Sequence, residues 1–161
     1  MITLAHRLPA DPAVAPTYTL ALSAEERTRS RHRFTSTDGV EMQLLLPRGT
    51  TLRDGDLLRN DEDSLTVRVQ ARPEPVITAH AADAFTLTRA AYHLGNRHVA
   101  LEFGRDYLRL SPDSVLADLL MQLGLRVVEE IAPFQPEAGA YGNHSHHHDQ
   151  GIARVPFRQH S

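Results

Sequence analysis

The four residues Arg72-Pro73-Glu74-Pro75 divide this chain, because two prolines so close together leave few donors for a strand ladder and the sequence pattern changes across them. Upstream, residues 17–22, 31–35, 40–46, 57–59 and 64–71 read as short strands separated by turn residues. In the last of these, Leu65, Val67 and Val69 alternate with Thr66, Arg68 and Gln70, the period-two pattern of a strand with one buried face. Asp38-Gly39 and Asp54-Gly55 supply the chemistry of turns that need positive φ. Ser23-Ala24-Glu25-Glu26 has capping-box spacing for one helical turn. Residues 1–72 are therefore expected to form a small β domain.

Downstream the period alternates. Residues 76–81 read as a strand, and Asp83 can cap a helix whose Leu87, Ala90, Ala91 and Leu94 fall at i, i+3, i+4 and i+7 before Gly95 closes it. Val99, Leu101 and Phe103 alternate in a further strand, which turns through Gly104-Arg105-Asp106 into a strand over 107–110. Ser111-Pro112 opens a second helix by the N-cap and N1 rule, with Leu116, Leu119, Leu120 and Leu123 on one face, and residues 126–131 form a last strand. The order βαββαβ predicts a ferredoxin-like domain over 73–133, so the whole chain is expected to be α+β. From 134 to 161 Pro, Gly, Ala and His dominate without periodicity, the pattern of a flexible His-rich tail.

A chain of 161 residues with 41% hydrophobic content can bury a core. Its net charge of -3 lacks the strongly basic footprint of a nucleic-acid binder, so no nucleic acid is expected as a partner. No stretch approaches the ~20 apolar residues that span a bilayer, so no membrane is expected either and the cytoplasm is the default location. All 17 basic residues are Arg. Four of them, Arg27, Arg29, Arg31 and Arg33, stand at period two and share a face wherever the segment is extended, which reads as a solvated strand face. Asp61, Glu62 and Asp63 follow Asn60 in what reads as a turn, without the Gly and terminal Glu of a calcium loop.

The chemistry lies with histidine. The tail places His144, His146, His147 and His148 beside Asp149, and a second segment, Tyr92 through His98, holds His93 and His98 around the end of the first predicted helix. Imidazole is a borderline ligand suited to Ni, Zn and Cu, and with no Cys in the chain a softer thiolate site is excluded. His93 and His98 cannot close a coordination sphere alone. They must borrow ligands, either from the tail or from a second copy across a two-fold axis, where each residue meets itself. No His-Glu-x-x-His, facial triad or Walker loop is present, and no general base stands at a recognisable spacing from the histidines, so an enzyme is not expected.

Three separated stretches carry a family resemblance: Gly49-Thr50-Thr51-Leu52-Arg53-Asp54-Gly55-Asp56, Ala91-Tyr92-His93-Leu94-Gly95-Asn96-Arg97-His98, and Pro133-Phe134-Gln135-Pro136-Glu137-Ala138-Gly139-Ala140-Tyr141-Gly142 with the His-rich end. Together they resemble the UreE family of urease accessory proteins, which are nickel metallochaperones. The resemblance runs over most of the chain. It implies an N-terminal domain similar to a chaperone peptide-binding module and a metal-binding domain that forms a homodimer. It also implies that His98 is the principal nickel ligand, paired with its symmetry mate, that His93 lies near it, and that the tail histidines complete or feed the site. The implied task is delivery of nickel to apo-urease together with the urease accessory GTPase. The chain departs from the pattern at Tyr107-Leu108-Arg109-Leu110, where some members carry additional histidines. Competing readings are a zinc or copper store or sensor, and a peptide-binding co-chaperone in which the histidines are incidental.

Overall fold

Each half of the chain buries its apolar residues at the period its sequence sets, and the computed structural model, which describes residues 1–138, shows two separate cores. The elements in chain order are β1 (Ile2–Leu4), β2 (His6–Leu8), β3 (Tyr18–Leu22), α1 (Ala24–Arg27), β4 (Arg33–Thr35), β5 (Glu41–Leu44), β6 (Leu57–Arg59) and β7 (Thr66–Ala71), followed by β8 (Glu74–His80), α2 (Ala84–Gly95), β9 (Glu102–Phe103), β10 (Tyr107–Leu110), α3 (Ser114–Gln122) and β11 (Arg126–Ala132).

The first half holds a three-stranded sheet, β1-β5-β4, and a four-stranded sheet, β2-β6-β7-β3. Leu4, Leu20, Met42, Leu44, Leu58, Val67 and Val69 point from these strands into one core. Gly39 (φ 83°) and Gly55 (φ 84°) adopt the left-handed backbone that their Asp-Gly turns demand. The capping box at α1 is complete: the Ser23 hydroxyl accepts from Glu26 N–H, and the Glu26 carboxylate accepts from Ser23 N–H. Sequence patterning misses β1 and β2. Each is three residues long, too short for an alternation to be read, and each exists through pairing with a distant strand, β1 parallel to β5 and β2 antiparallel to β6.

The second half forms a four-stranded antiparallel sheet in the order β11-β8-β10-β9. Ala90 and Leu94 of α2 and Leu120 of α3 share a core with Ile77, Ala79, Leu108 and Leu110. Because strand side chains alternate, both helices therefore lie on the same sheet face, and Thr78, Arg109 and Glu130 stand on the other. There the Thr78 hydroxyl donates to Glu130 (2.6 Å), and Arg109 donates to Thr78, Glu102 and Glu130. Pro75 is accommodated within β8 because β10 reaches only as far as Ile77, so at Pro75 the strand has β11 as its ladder neighbour.

Three local expectations are corrected. The second helix opens at Ser114, not at Ser111-Pro112, because the Asp113 carboxylate accepts from both Val115 N–H (2.9 Å) and Leu116 N–H (3.0 Å) and so outcompetes the upstream Ser. The strand expected around Val99 to Phe103 is only Glu102–Phe103, since Val99 is used to finish the preceding helix. The four arginines share no strand face. Capping by Ser23 makes Arg27 the last residue of α1 and buries it, leaving Arg33 at the start of β4.

Candidate metal centre

The His98 turn is built by the end of α2. The helix begins at Asp83, whose carboxylate accepts from the Thr86 backbone N–H (2.7 Å) and hydroxyl (3.1 Å), bonds that hold it below the usual carboxylate range. Its apolar stripe, with Ala90 and Leu94 buried, fixes the rotation of the helix on the sheet. At the other end His98 N–H donates to Gly95 C=O (3.0 Å) and Val99 N–H donates to Leu94 C=O (3.3 Å). This pair of bonds is a Schellman closure, with His98 at the position that glycine usually fills. His98 accordingly has φ 54°, one of two non-glycine residues with positive φ among the described residues. Gly95, expected to close the helix, is instead its last helical residue. Closure therefore falls three residues later, on the histidine.

A side chain at that position projects away from the body. His98 is exposed, and among the described residues its imidazole has no hydrogen-bond partner. His93 sits in the last turn of α2, half-buried, with its ring edge-on to Tyr92 at 5.5 Å. Its own carbonyl accepts from Arg97 Nη1 (2.9 Å), so one of the helix-end carbonyls expected to attract a cation already has one. Among the described residues no group of three or more His, Cys, Asp or Glu comes together as a metal site. His93 and His98 do not complete one, as their number alone requires. His144, His146, His147 and His148 lie outside the described residues.

The other described histidines are occupied elsewhere. His6 lies 3.0 Å from an Asp61 carboxylate oxygen, His32 is edge-on to Phe34 at 4.9 Å, and His80 is tilted against Tyr107 at 5.9 Å. The Asn60 to Ser64 acidic cluster is a turn in which the Asn60 side chain accepts from Ser64 N–H and donates to Ser64 Oγ. Sequence reasoning misses Arg27. Its guanidinium is buried and donates to the carbonyls of Leu22 (2.9 Å) and Phe134. Burial lowers its pKa, while Glu74, Asp54 and Glu102 oppose that shift. The capping box around Ser23 was the available signal, because a residue that ends a helical turn cannot also belong to an extended arginine stripe.

The described residues thus form a β-rich half joined to an antiparallel α+β half that carries an exposed histidine in left-handed backbone, and among them no group of ligands closes a metal site. Comparison with known proteins makes the class specific. The model of the UreE urease accessory protein N-terminal domain matches residues 4–72, and that of the UreE C-terminal domain matches residues 74–161. A urease accessory protein UreE from Nostoc sp. is 54% identical over 147 residues, covering 91% of this chain and 100% of the relative. Those from Nostoc punctiforme (55%, covering 92% of this chain and 100% of the relative) and Microcystis aeruginosa (52%, covering 92% and 96%) are similar to the same extent. The chain belongs to the UreE family of urease accessory proteins, whose members are accessory proteins of urease maturation and not enzymes. Among the described residues no helix is long and apolar enough to cross a membrane.

Proposed function

We propose that this protein is a nickel metallochaperone that works in the cytoplasm and delivers Ni2+ for assembly of the urease active site. The carrying observation is His98: an exposed imidazole held in left-handed backbone, where a glycine would cost less. Non-glycine residues in that region are worth a functional explanation, and a ligand whose direction must be fixed supplies one.

In this reading residues 1–72 bind a peptide or partner, residues 73–133 are a ferredoxin-like domain that binds metal and dimerises, and residues 134–161 carry the additional ligands. The ferredoxin-like assignment is supported by the strand order β11-β8-β10-β9 with both helices on one face. The homodimer is supported by the shortage of ligands among the described residues of one chain and by Phe85 and Tyr92, large exposed side chains one heptad apart on α2. His98 of each copy would hold one ion between them. His93 lies close by on the same helix end, and His144, His146, His147 and His148 would complete the coordination or feed it. Imidazole also accepts Zn2+ and Cu2+, so in vitro binding of either is compatible with a chaperone whose selectivity comes from its partners. Those partners are the urease accessory GTPase and the apo-urease assembly complex. An interface site with few protein ligands leaves positions open for transfer.

Titration calorimetry with Ni2+, run beside light scattering for the mass, tests this reading. A dimer binding its tightest ion at one per two chains is expected, and that site should be lost in His98→Ala. A monomer, or a His98→Ala protein with parental nickel affinity, overturns it.

A further inference from the structure

The chain leaves β11 at Ala132, on one edge of the four-stranded sheet, yet its next contacts lead across β10 to the opposite edge, β9. Pro133 C=O accepts from Arg109 Nη1 of β10 (3.1 Å), Gln135 N–H donates to Glu102 Oε2 of β9 (2.8 Å), and Glu137 N–H donates to Leu101 C=O (2.7 Å), one residue before β9. Between them Phe134 is 2% exposed, its carbonyl accepting from buried Arg27. The Gln135 side-chain oxygen also accepts from Asp54 N–H (3.0 Å). Crossing from β11 to β9 spans three inter-strand gaps, roughly 14 Å, a distance that five extended residues just cover. Residues 133–137 are therefore a strap laid over the sheet face away from the helices, bonded at almost every position.

We propose that Arg27, Phe134 and Glu102 act as a clasp that carries the root of the C-terminal segment across the sheet and pins it beside the His98 turn. They are positioning residues for the histidines that follow. Glu102 is itself fixed, its Oε1 accepting from Tyr107 Oη (3.2 Å) and Arg109 (3.3 Å). The pinned residue Glu137 is bonded to the carbonyl of Leu101, itself only three residues, and so at most about 11 Å, beyond His98. His144 follows seven residues after Glu137, a reach of up to about 25 Å. Released at Ala132, the same segment would start a sheet-width farther away and its histidines would meet His98 at a lower local concentration. This inference rests on the metal reading above, but the pin itself is open to an independent measurement.

Because the sequence contains no Cys, a nitroxide can be placed at position 138 alone through Ala138→Cys. In the full-length protein it should broaden the amide resonances of Arg97 to Leu101, and Phe134→Ala or the milder Glu102→Ala should abolish that broadening while the dispersion of the other amides stays folded. Absence of broadening in the parent, or its persistence in both variants, overturns the clasp. In the metal arm, apparent Ni2+ affinity should fall about tenfold or more on Glu102→Ala in the full chain and stay unchanged in a chain ended after Ala138. An equal fall in both backgrounds would mean that Glu102 acts on the fold and not through the tail, and overturns the positioning role. If broadening behaves as expected but neither truncation nor Glu102→Ala alters nickel affinity, the pin stands and it is the tail's role as ligand that fails.

Discussion

The N–H of Val99 reaches back 3.3 Å to the carbonyl of Leu94, and the turn it closes holds His98 in left-handed backbone. For an L-residue that conformation costs about 1–2 kcal/mol, most of which glycine escapes, at the expense of about 0.5–1 kcal/mol of extra unfolded-chain entropy. His98→Gly should therefore leave the metal-free protein at least as stable as its parent, with a net gain of about 0.5 kcal/mol. His98→Ala should show no such gain, and both should lose the tightest nickel site. Urea midpoints of the metal-free proteins, compared with nickel titrations, separate the two effects, and a marked destabilisation by glycine would refute the strain argument.

Arg27 is 2% exposed and donates to the carbonyl of Leu22, close by in the chain, and to that of Phe134, far along it. Removing it takes the guanidinium donor from the Phe134 carbonyl, while the Leu22 carbonyl keeps the Arg72 N–H (2.9 Å), so Arg27→Ala should cost about 2 kcal/mol. Arg27→Lys should recover only part of this, because a point ammonium does not reproduce the guanidinium fork. Denaturant unfolding of the two variants checks the order.

The cap of α3 allows a clean contrast. Asp113→Ala should lower stability by about 1 kcal/mol. Ser111→Ala, two residues upstream and outside the cap, should change it by no more than a few tenths of a kcal/mol. Equal effects in a thermal melt would restore the cap to Ser111.

Glu130 is held below the usual carboxylate range, first by the Thr78 hydroxyl and then by Arg109, against opposing desolvation. A carboxylate with a depressed folded value contributes stability that is present above its unfolded pKa and lost as the pH falls through the folded one. Thr78→Val should raise the Glu130 titration toward the ordinary range and thereby narrow this acid-sensitive window. Carboxyl-carbon NMR titration of parent and variant reads the shift directly, and an unmoved midpoint would assign the effect to Arg109 and His80.

Nickel binding should be proton-linked. Coordination takes neutral imidazole, and histidine as a class changes charge between pH 5 and 8, so affinity should fall as the medium is acidified from about pH 7 to pH 5. The slope should exceed one proton per ion in the full chain and be shallower in a chain ended after Ala138. Calorimetry at several pH values measures both, and a flat response would point to carboxylate ligands.

Legibility from sequence followed how local the determining forces are. The Ser23 and Glu26 box, the Asp83 cap, the i, i+3, i+4, i+7 stripe through Leu87 and Leu94 and the Asp-Gly turns at Gly39 and Gly55 are decided by neighbours in the chain, and each is present. Strands β1 and β2 were not legible, because what makes Ile2–Leu4 a strand is Met42 and Leu44, not its own three residues. At the candidate site, residue type pointed to His98, but its backbone state did not show: Gly95 carried the sequence signal for helix closure while the hydrogen bonds placed it at His98. The strap over 133–137 was hidden for a further reason. Its Pro-rich composition reads as loop, whereas its order comes from Arg27, Glu102 and Arg109, side chains far away in the chain.

The parallel pairings of the first half also govern how the chain can fold. Ile2 must find Met42, and Tyr18 must find Val67, before either parallel ladder exists, and β8, which meets β10 across one helix and a hairpin, must also wait for Arg126 before β11 can pair with His80. Loop closure over such separations is paid before any contact rewards it, so topology of this kind slows folding. Until Val67 has been made, β3 has no ladder partner, and it is that unpaired edge that a nascent chain presents to the cell.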